Sequence, residues 1–85
     1  TTIAYVLKDD ARVRLRIYTL SGGLVLDRTF PRGAGGGTAG LNEIPWNGRN
    51  GAGEAVASGG YILQVQAEGE GATMHVMRRK IGVMW

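Results

Sequence analysis

The stretch RVRLRIY, residues 12–18, decides the fold class of this chain. Apolar and basic side chains alternate along it without a break, so that Val13, Leu15 and Ile17 fall on one side and three arginines on the other. Successive side chains of a β-strand point to opposite faces of a sheet, whereas a helix would spread the arginines around its circumference. The stretch therefore predicts a strand with one face in a hydrophobic core and the other in solvent.

The same alternation with a period of two recurs along most of the chain. The segments between are rich in glycine, and none shows the 3.6-residue periodicity of an amphipathic helix. Short strands separated by such turns are typical of a sandwich. We predict an all-β, immunoglobulin-like antiparallel β-sandwich of six to seven short strands, with no helix, in which residues 1–85 form a single domain. The predicted strands occupy residues 2–7, 12–18, 24–30, 42–46, 61–68 and 73–85.

The fourth predicted strand carries an inward-facing set formed by Asn42, Ile44 and Trp46. Pro45 has no amide hydrogen to donate to a neighbouring strand, so this strand is expected at a sheet edge or to end there. Trp46 is consequently predicted to be a core residue, together with Tyr61 at the start of the next strand.

The last predicted strand shows a change of parity. Met74 and Val76 alternate first, and we expect them to face the core, as we also expect of Ile81 and Val83. These two pairs cannot share a face in a regular strand, which predicts a β-bulge at residues 77–79.

Two loops are expected to differ in character. Residues 31–40 are so rich in glycine that we expect little to order them. The glycine pattern of the loop also lacks the lysine and the following helix of a phosphate-binding P-loop. Residues 68–71 are predicted to form a hairpin turn, in which Glu68 and Glu70 are solubilising residues.

Composition narrows the functional classes. The chain has no cysteine, and its net charge of +3 gives only weak attraction to anionic surfaces. No run of apolar residues is long enough to cross a membrane. The chain opens with threonine instead of methionine, so we expect it to be processed or excised from a longer polypeptide.

Several stretches together resemble one known family. TIAYVL at residues 2–7, VRLRIYTLSG at 13–22, GLV at 23–25, WNGRN at 46–50 and VASGGY at 56–61 are similar, in order and spacing, to the immunoglobulin-like domain of the flagellar hook-capping protein family (FlgD-type). Related modules stand at the C-terminus of many secreted bacterial proteins as sorting or accessory domains. The chain departs from the family in having Asn47 and Asn50 where aspartate is more frequent, and in running on to Met84 and Trp85.

The resemblance implies a non-enzymatic accessory of a larger bacterial protein. We therefore expect a non-catalytic structural and assembly module that docks onto other protein subunits of an extracytoplasmic or envelope-associated complex, in the periplasm or at the cell surface. The expected partners are protein subunits of a larger, possibly membrane-anchored assembly. We expect no cofactor and no small-molecule substrate. We also expect no nucleic acid, because the positive charge is mild and no stacking platform of aromatic residues is present.

The residues themselves give little support to catalysis. His75 is the only histidine and lies in the middle of a predicted strand, so a Ser–His pair or a histidine metal site would depend on one imidazole. The acidic residues fall in predicted turns, without the spacing of a paired-carboxylate mechanism.

The loop of residues 47–60, from Asn47 to Gly60, carries the alternative function, binding of calcium or carbohydrate. Its weak candidate metal ligands are Asn47, Asn50 and Glu54, whose oxygens are of the kind that calcium accepts. Asparagine and glycine in such loops equally supply turns and local side-chain hydrogen bonds. A carbohydrate site would need the adjoining Trp46 to be exposed.

Two candidate partner-binding surfaces remain. The first is the arginine row, Arg12, Arg14 and Arg16, which either pairs with neighbouring strands or docks carboxylates of a partner. The second is formed by Met84 and Trp85, which either pack into the sandwich or project as an anchor for a partner.

Overall fold

Six β-strands build the part of the chain that the computed structural model describes, residues 1–69 and 74–85. They are β1 (Thr2–Leu7), β2 (Arg12–Thr19), β3 (Leu24–Phe30), β4 (Gly40–Pro45), β5 (Gly59–Glu68) and β6 (Met74–Val83). No helix occurs within these described ranges, and consequently none that could cross a membrane. The predicted turn at residues 68–71, with Glu70, and the predicted strand start at Thr73 fall in part outside the described residues.

The strands form two antiparallel sheets of unequal size. One has two strands in the order β1-β4, and the other has four in the order β3-β2-β5-β6. The two central strands of the larger sheet, β2 and β5, pair over their whole shared length, from Arg12 opposite Glu68 to Thr19 opposite Tyr61. Two hairpins, β2-β3 and β5-β6, supply its remaining pairs. The predicted immunoglobulin-like β-sandwich is confirmed.

The core lies where β1 and β4 cover β2 and β5. Val13, Leu15 and Ile17 of β2 have no solvent-exposed surface, as the alternation of residues 12–18 predicts. The facing sheet contributes Ile3, Tyr5, Asn42, Ile44 and the adjoining Trp46, all of them buried. β4 ends at Pro45, as predicted from the missing amide donor.

Trp46 is the largest side chain of this core and is only 4% exposed. Its ring meets that of Tyr61 edge-on, with 6.0 Å between centroids and an interplanar angle of 84°, a favoured arrangement for aromatic pairs. The indole Nε1 donates to the carbonyl oxygen of Arg49 at 2.9 Å. The ring therefore joins the core to the loop that follows β4.

The predicted bulge at residues 77–79 is wrong. β6 pairs with β5 in unbroken register, from Gly59 opposite Val83 to Glu68 opposite Met74. Val83 is buried and Met77 and Ile81 are half-buried, whereas Met74 and Val76 are exposed on the opposite side. The parity therefore never changes, because the two apolar residues expected in the core point to solvent.

The glycine-rich loop between β3 and β4 is tied to the core, contrary to expectation. The carbonyl oxygen of buried Gly37 accepts a hydrogen bond from the amide of Ala11 at 3.0 Å. The hydroxyl of Tyr5 donates to the carbonyl oxygen of Gly36 at 2.6 Å, and burial raises the pKa of that hydroxyl to about 12. A side chain on Gly37 would collide with the backbone of Ala11 and Pro31, so glycine serves close packing there.

The end of the same loop is fixed by Asn42, the one buried polar residue of the described chain. Its Oδ1 accepts from the amide and the hydroxyl of Thr38, and its Nδ2 donates to the carbonyl oxygens of Thr38 and Gly40. All the polar atoms of the side chain are thus paired, as burial requires. The asparagine predicted to face inward closes the loop.

Replacing Trp46 with alanine is expected to destabilise the domain by about 3–5 kcal/mol, because it removes a buried ring and leaves a cavity beside Tyr61. That loss is a large part of the stability of a domain this small. Urea unfolding followed by circular dichroism measures it. Val6→Ala, at a side chain that is 74% exposed, is the matched control and is expected to change the free energy of unfolding by less than about 0.5 kcal/mol. Equal losses in the two variants would contradict the placement of Trp46.

Candidate protein-interaction surface

The outer face is the side of the four-stranded sheet turned away from β1 and β4. Strand register brings side chains from all four strands onto it in rows: Arg12 beside Glu68 and Met74, Arg14 beside Thr29, Gln66 and Val76, Arg16 beside Asp27, Gln64 and Arg78, and Tyr18 beside Leu24, Ile62 and Lys80. The arginine row thus lies on this face, on the side of β2 opposite the buried residues, as predicted. Most of these side chains are exposed to solvent or half-buried.

The outer face is basic. Its described residues include five cations, Arg12, Arg14, Arg16, Arg78 and Lys80, and two carboxylates, Asp27 and Glu68. The sequence analysis missed Arg78 and Lys80, because it assigned Met74 and Val76 to the core and predicted a bulge at residues 77–79, which left the facing of the basic run undefined. The register of the β5-β6 hairpin is the signal that would have found them.

Arg14 forms a salt bridge with Asp27. Its Nε and Nη2 donate to Oδ1 and Oδ2 of Asp27 at 3.1 and 2.7 Å. This fork-shaped hydrogen bonding holds the pKa of Asp27 below its ordinary value of 3.8 and raises that of Arg14. Both side chains are exposed to solvent, so the pair orders the face more than it stabilises the fold.

Two further cations are held along the face by neutral amides. Arg16 Nη2 donates to Oε1 of Gln66 at 2.7 Å, and Arg78 Nε donates to Oε1 of Gln64 at 3.0 Å. A glutamine fixes the direction of a guanidinium without cancelling its charge. Side chains of neighbouring strands therefore fix the positions of these arginines, but they leave the positive charge of the face in place.

The asparagine side chains of the loop of residues 47–60 form hydrogen bonds within the loop itself. Asn47 Oδ1 accepts from the amide of Arg49, and Asn50 Oδ1 accepts from the amides of Ala52 and Glu54. Arg49 brings a guanidinium into the loop and donates to the carbonyl oxygen of Gly53 at 2.9 Å. These are the local side-chain-to-backbone hydrogen bonds of turns. The positive charge of Arg49 beside them disfavours the binding of calcium.

Trp85 packs against this loop. Its amide donates to Ser58 Oγ at 3.1 Å, and its indole Nε1 donates to the carbonyl oxygen of Val56 at 2.6 Å. The ring lies so close to Gly48 that a Cβ there would come within 2.8 Å of it. Trp85 nevertheless stays 66% exposed, and Met84 is 92% exposed. One edge of the indole is anchored on the loop and the rest is open to solvent.

A family model, described as the FlgD Ig-like domain, matches residues 1–71. The chain belongs to the FlgD Ig-like domain family. The match covers β1 to β5 and ends before β6 begins. FlgD Ig-like domains are structural domains of flagellar proteins and are not a known enzyme family. A search of curated proteins and a search of solved structures each found no match.

The remaining candidates in this FlgD Ig-like domain do not form a catalytic or metal-binding group. His75 is an exposed residue of β6. Within residues 1–69 and 74–85, no three histidine or acidic side chains are grouped closely enough to hold a metal ion. Trp46 is buried, which removes the exposed ring on which the carbohydrate alternative depends. Nothing in the described structure supports ligand binding at Asn47, Asn50 and Glu54.

Breaking the Arg14–Asp27 pair is expected to change titration far more than stability. In Arg14→Gln the pKa of Asp27 should rise toward 3.8, and the Tm should shift by less than about 4 °C. Because folding lowers this pKa, the pair stabilises the fold above the ordinary pKa and loses that effect as the pH falls through the lowered one. NMR titration of the Asp27 side-chain carboxyl and thermal unfolding measure the two effects. Arg12→Gln, which leaves the pair intact, is the control, and a large drop in Tm for Arg14→Gln alone would show that the arginine row is internal.

Gly48→Ala is expected to destabilise the domain by more than about 1–2 kcal/mol. Gly48 has a φ of +71°, which L-residues adopt at about that cost, and the added methyl group also displaces the ring of Trp85. The second contribution should vanish when Trp85 is first replaced with alanine, so a double-mutant cycle isolates it. Gly51→Ala is the control, because a Cβ there meets no atom within 4 Å. Additive effects of Gly48→Ala and Trp85→Ala would contradict the packing of the indole on the loop.

Proposed function

We propose that this FlgD Ig-like domain is an assembly module that docks, through the outer face of its four-stranded sheet, onto an acidic surface of another protein subunit. We place it on the extracytoplasmic side of a bacterial envelope, in the periplasm or at the cell surface. The family supports a structural, non-catalytic role in a flagellar or related bacterial assembly.

The distribution of charge carries the proposal. The sequence has ten basic and seven acidic residues, a net charge of +3. Within residues 1–69 and 74–85, the outer face holds five cations and two carboxylates. The net charge of these seven side chains, +3, equals that of the whole sequence. A net charge gathered on one surface steers association with a surface of opposite sign and fixes its orientation.

The side chains of this face suit a protein partner. Arg14, Arg16 and Arg78 are oriented by Asp27, Gln66 and Gln64, so less side-chain freedom is lost on binding. Exposed Met74 and Val76 lie beside them and add apolar area. Tyr18, half-buried, is the one aromatic side chain on the described face. A nucleic acid would need more stacking surface.

Cross-linking in the native bacterium tests this proposal, because the two lysines of the chain report on different surfaces. Lys80 lies on the outer face, and Lys8 lies between β1 and β2. We expect amine-reactive cross-links to partner subunits at Lys80 and not at Lys8. The double substitution R12E/R14E should remove those cross-links.

The matched control is R28E/R49E, which changes the net charge equally at exposed arginines outside the outer face. It should leave the Lys80 cross-links in place, with circular dichroism confirming that both variants fold. Cross-links confined to Lys8, or equal losses in the two variants, would overturn docking through the outer face.

A further inference from the structure

β6 has a free backbone edge. It is the last strand of the four-stranded sheet, and β5 is its one neighbour. Every second residue of such a strand directs its amide and carbonyl groups away from the sheet. Apart from the β5-β6 ladder, no hydrogen bond in residues 1–69 and 74–85 involves a backbone group of β6. Over ten residues this edge is about 30 Å long.

Two other strands of the sandwich each accept, at a backbone carbonyl oxygen, a hydrogen bond from a residue outside their own sheet. At the opposite side of the same sheet, the amide of Gly51 donates to the carbonyl oxygen of Val25 in β3 at 3.1 Å. In the smaller sheet, Arg79 Nη1 reaches the carbonyl oxygen of Ala4 in β1 at 3.4 Å. β6 is thus the open side of its sheet, and it lies beyond the residues that the family model matches.

The inner side of this edge carries two partly covered apolar side chains, with the exposed side chain of Arg79 between them. Met77 and Ile81 point toward the core yet remain half-buried, because the two-stranded sheet is too narrow to reach across β6. Val83, near the end of the strand, is buried. Apolar side chains of one added strand would extend the core over Met77 and Ile81.

Charge decides which strand can be added. Arg78, Arg79 and Lys80 are exposed in the middle of β6. Two copies of β6 paired antiparallel about this run would set like charges directly opposite one another, which destabilises a strand pair. Arg78 and Lys80, which share the outer face, favour a strand that brings carboxylates to that side. A second copy of this chain is therefore the wrong occupant, and an acidic segment is the matching one.

We infer that β6 accepts, as a fifth strand of the sheet, an extended segment of a partner protein in which acidic and apolar residues alternate. Its acidic side chains lie beside Arg78 and Lys80 on the outer face, and its apolar side chains lie beside Met77 and Ile81 on the inner side. Backbone hydrogen bonds supply affinity and the alternating side chains supply selectivity. This inference rests on the proposed docking role and adds the chemistry of the partner.

A synthetic peptide with the sequence VEVEVEV, acetylated and amidated, is the probe. We expect it to bind, and amide hydrogen exchange followed by NMR should show new protection within residues 74–83. Binding should weaken as salt is added. The peptide VKVKVKV should not bind. The variant R78E/K80E should reverse this preference, whereas R28E/R49E should not.

N-methylation separates strand addition from docking by side chains. One peptide carries methyl groups on all valine amides, and the other carries them on all glutamate amides. Each blocks one edge of the incoming strand, and pairing with β6 uses only one edge. Strand addition therefore predicts that one methylated peptide keeps its affinity while the other loses about tenfold or more.

Three results would overturn the inference: no binding of VEVEVEV, equal affinities of the two methylated peptides, or protection confined to strands other than β6. None of these results bears on the Lys80 cross-links and their loss in R12E/R14E. A failure of strand addition is thus distinguishable from a failure of docking through the outer face.

Discussion

The packing of β2 and β5 against a sheet of only two strands is the constraint on which the remaining structure depends. Val13, Leu15 and Ile17 fill the space under Ile3, Tyr5, Ile44 and Trp46, and this burial supplies the hydrophobic stabilisation of a chain without disulfides. Two strands can cover two strands well. The flanking strands of the larger sheet, β3 and β6, are left with side chains such as Arg28 and Arg79 exposed on their inner sides. Charged residues on the inner side of edge strands are a known means of limiting uncontrolled strand pairing.

The loops that would ordinarily attract functional interpretation are committed to structure. In the 47–60 loop, the asparagine oxygens close turns. The carbonyl oxygen of Arg49 accepts from Trp46, and its guanidinium donates to Gly53. Trp85 donates from its indole to Val56 and from its backbone amide to Ser58. In the loop between β3 and β4, backbone carbonyls are taken by Ala11 and Tyr5. What the core and the loops leave uncommitted is the charged outer face and the backbone of β6.

The fold could be predicted from the sequence because its central strands are unambiguous. In residues 12–18 the aliphatic residues are buried and the arginines face outward, so one pattern shows both sides of the sheet. The same reasoning failed for β6, because Met74 and Val76 are apolar yet exposed. Residue type alone does not show which side of an edge strand faces the core. The surface therefore could be predicted only in part: the arginine row was found, but Arg78 and Lys80 required strand register. The ordering of residues 31–40 depends on Tyr5 and Asp10, which lie far away in sequence.

The order of the strands has a consequence for how the domain reaches its native state. Each sheet is completed only by partners distant in sequence, as the Arg16–Gln66 hydrogen bond across 50 residues shows. The β2-β3 hairpin can form alone, but the core has no closed layer until β5 has been synthesised and β1 has met β4. A topology dominated by such distant pairs folds more slowly than a helical chain of equal length, because the entropy of closing long loops is lost before core contacts form. The apolar side of β2 accordingly stays uncovered until β5 has been synthesised and the smaller sheet has formed.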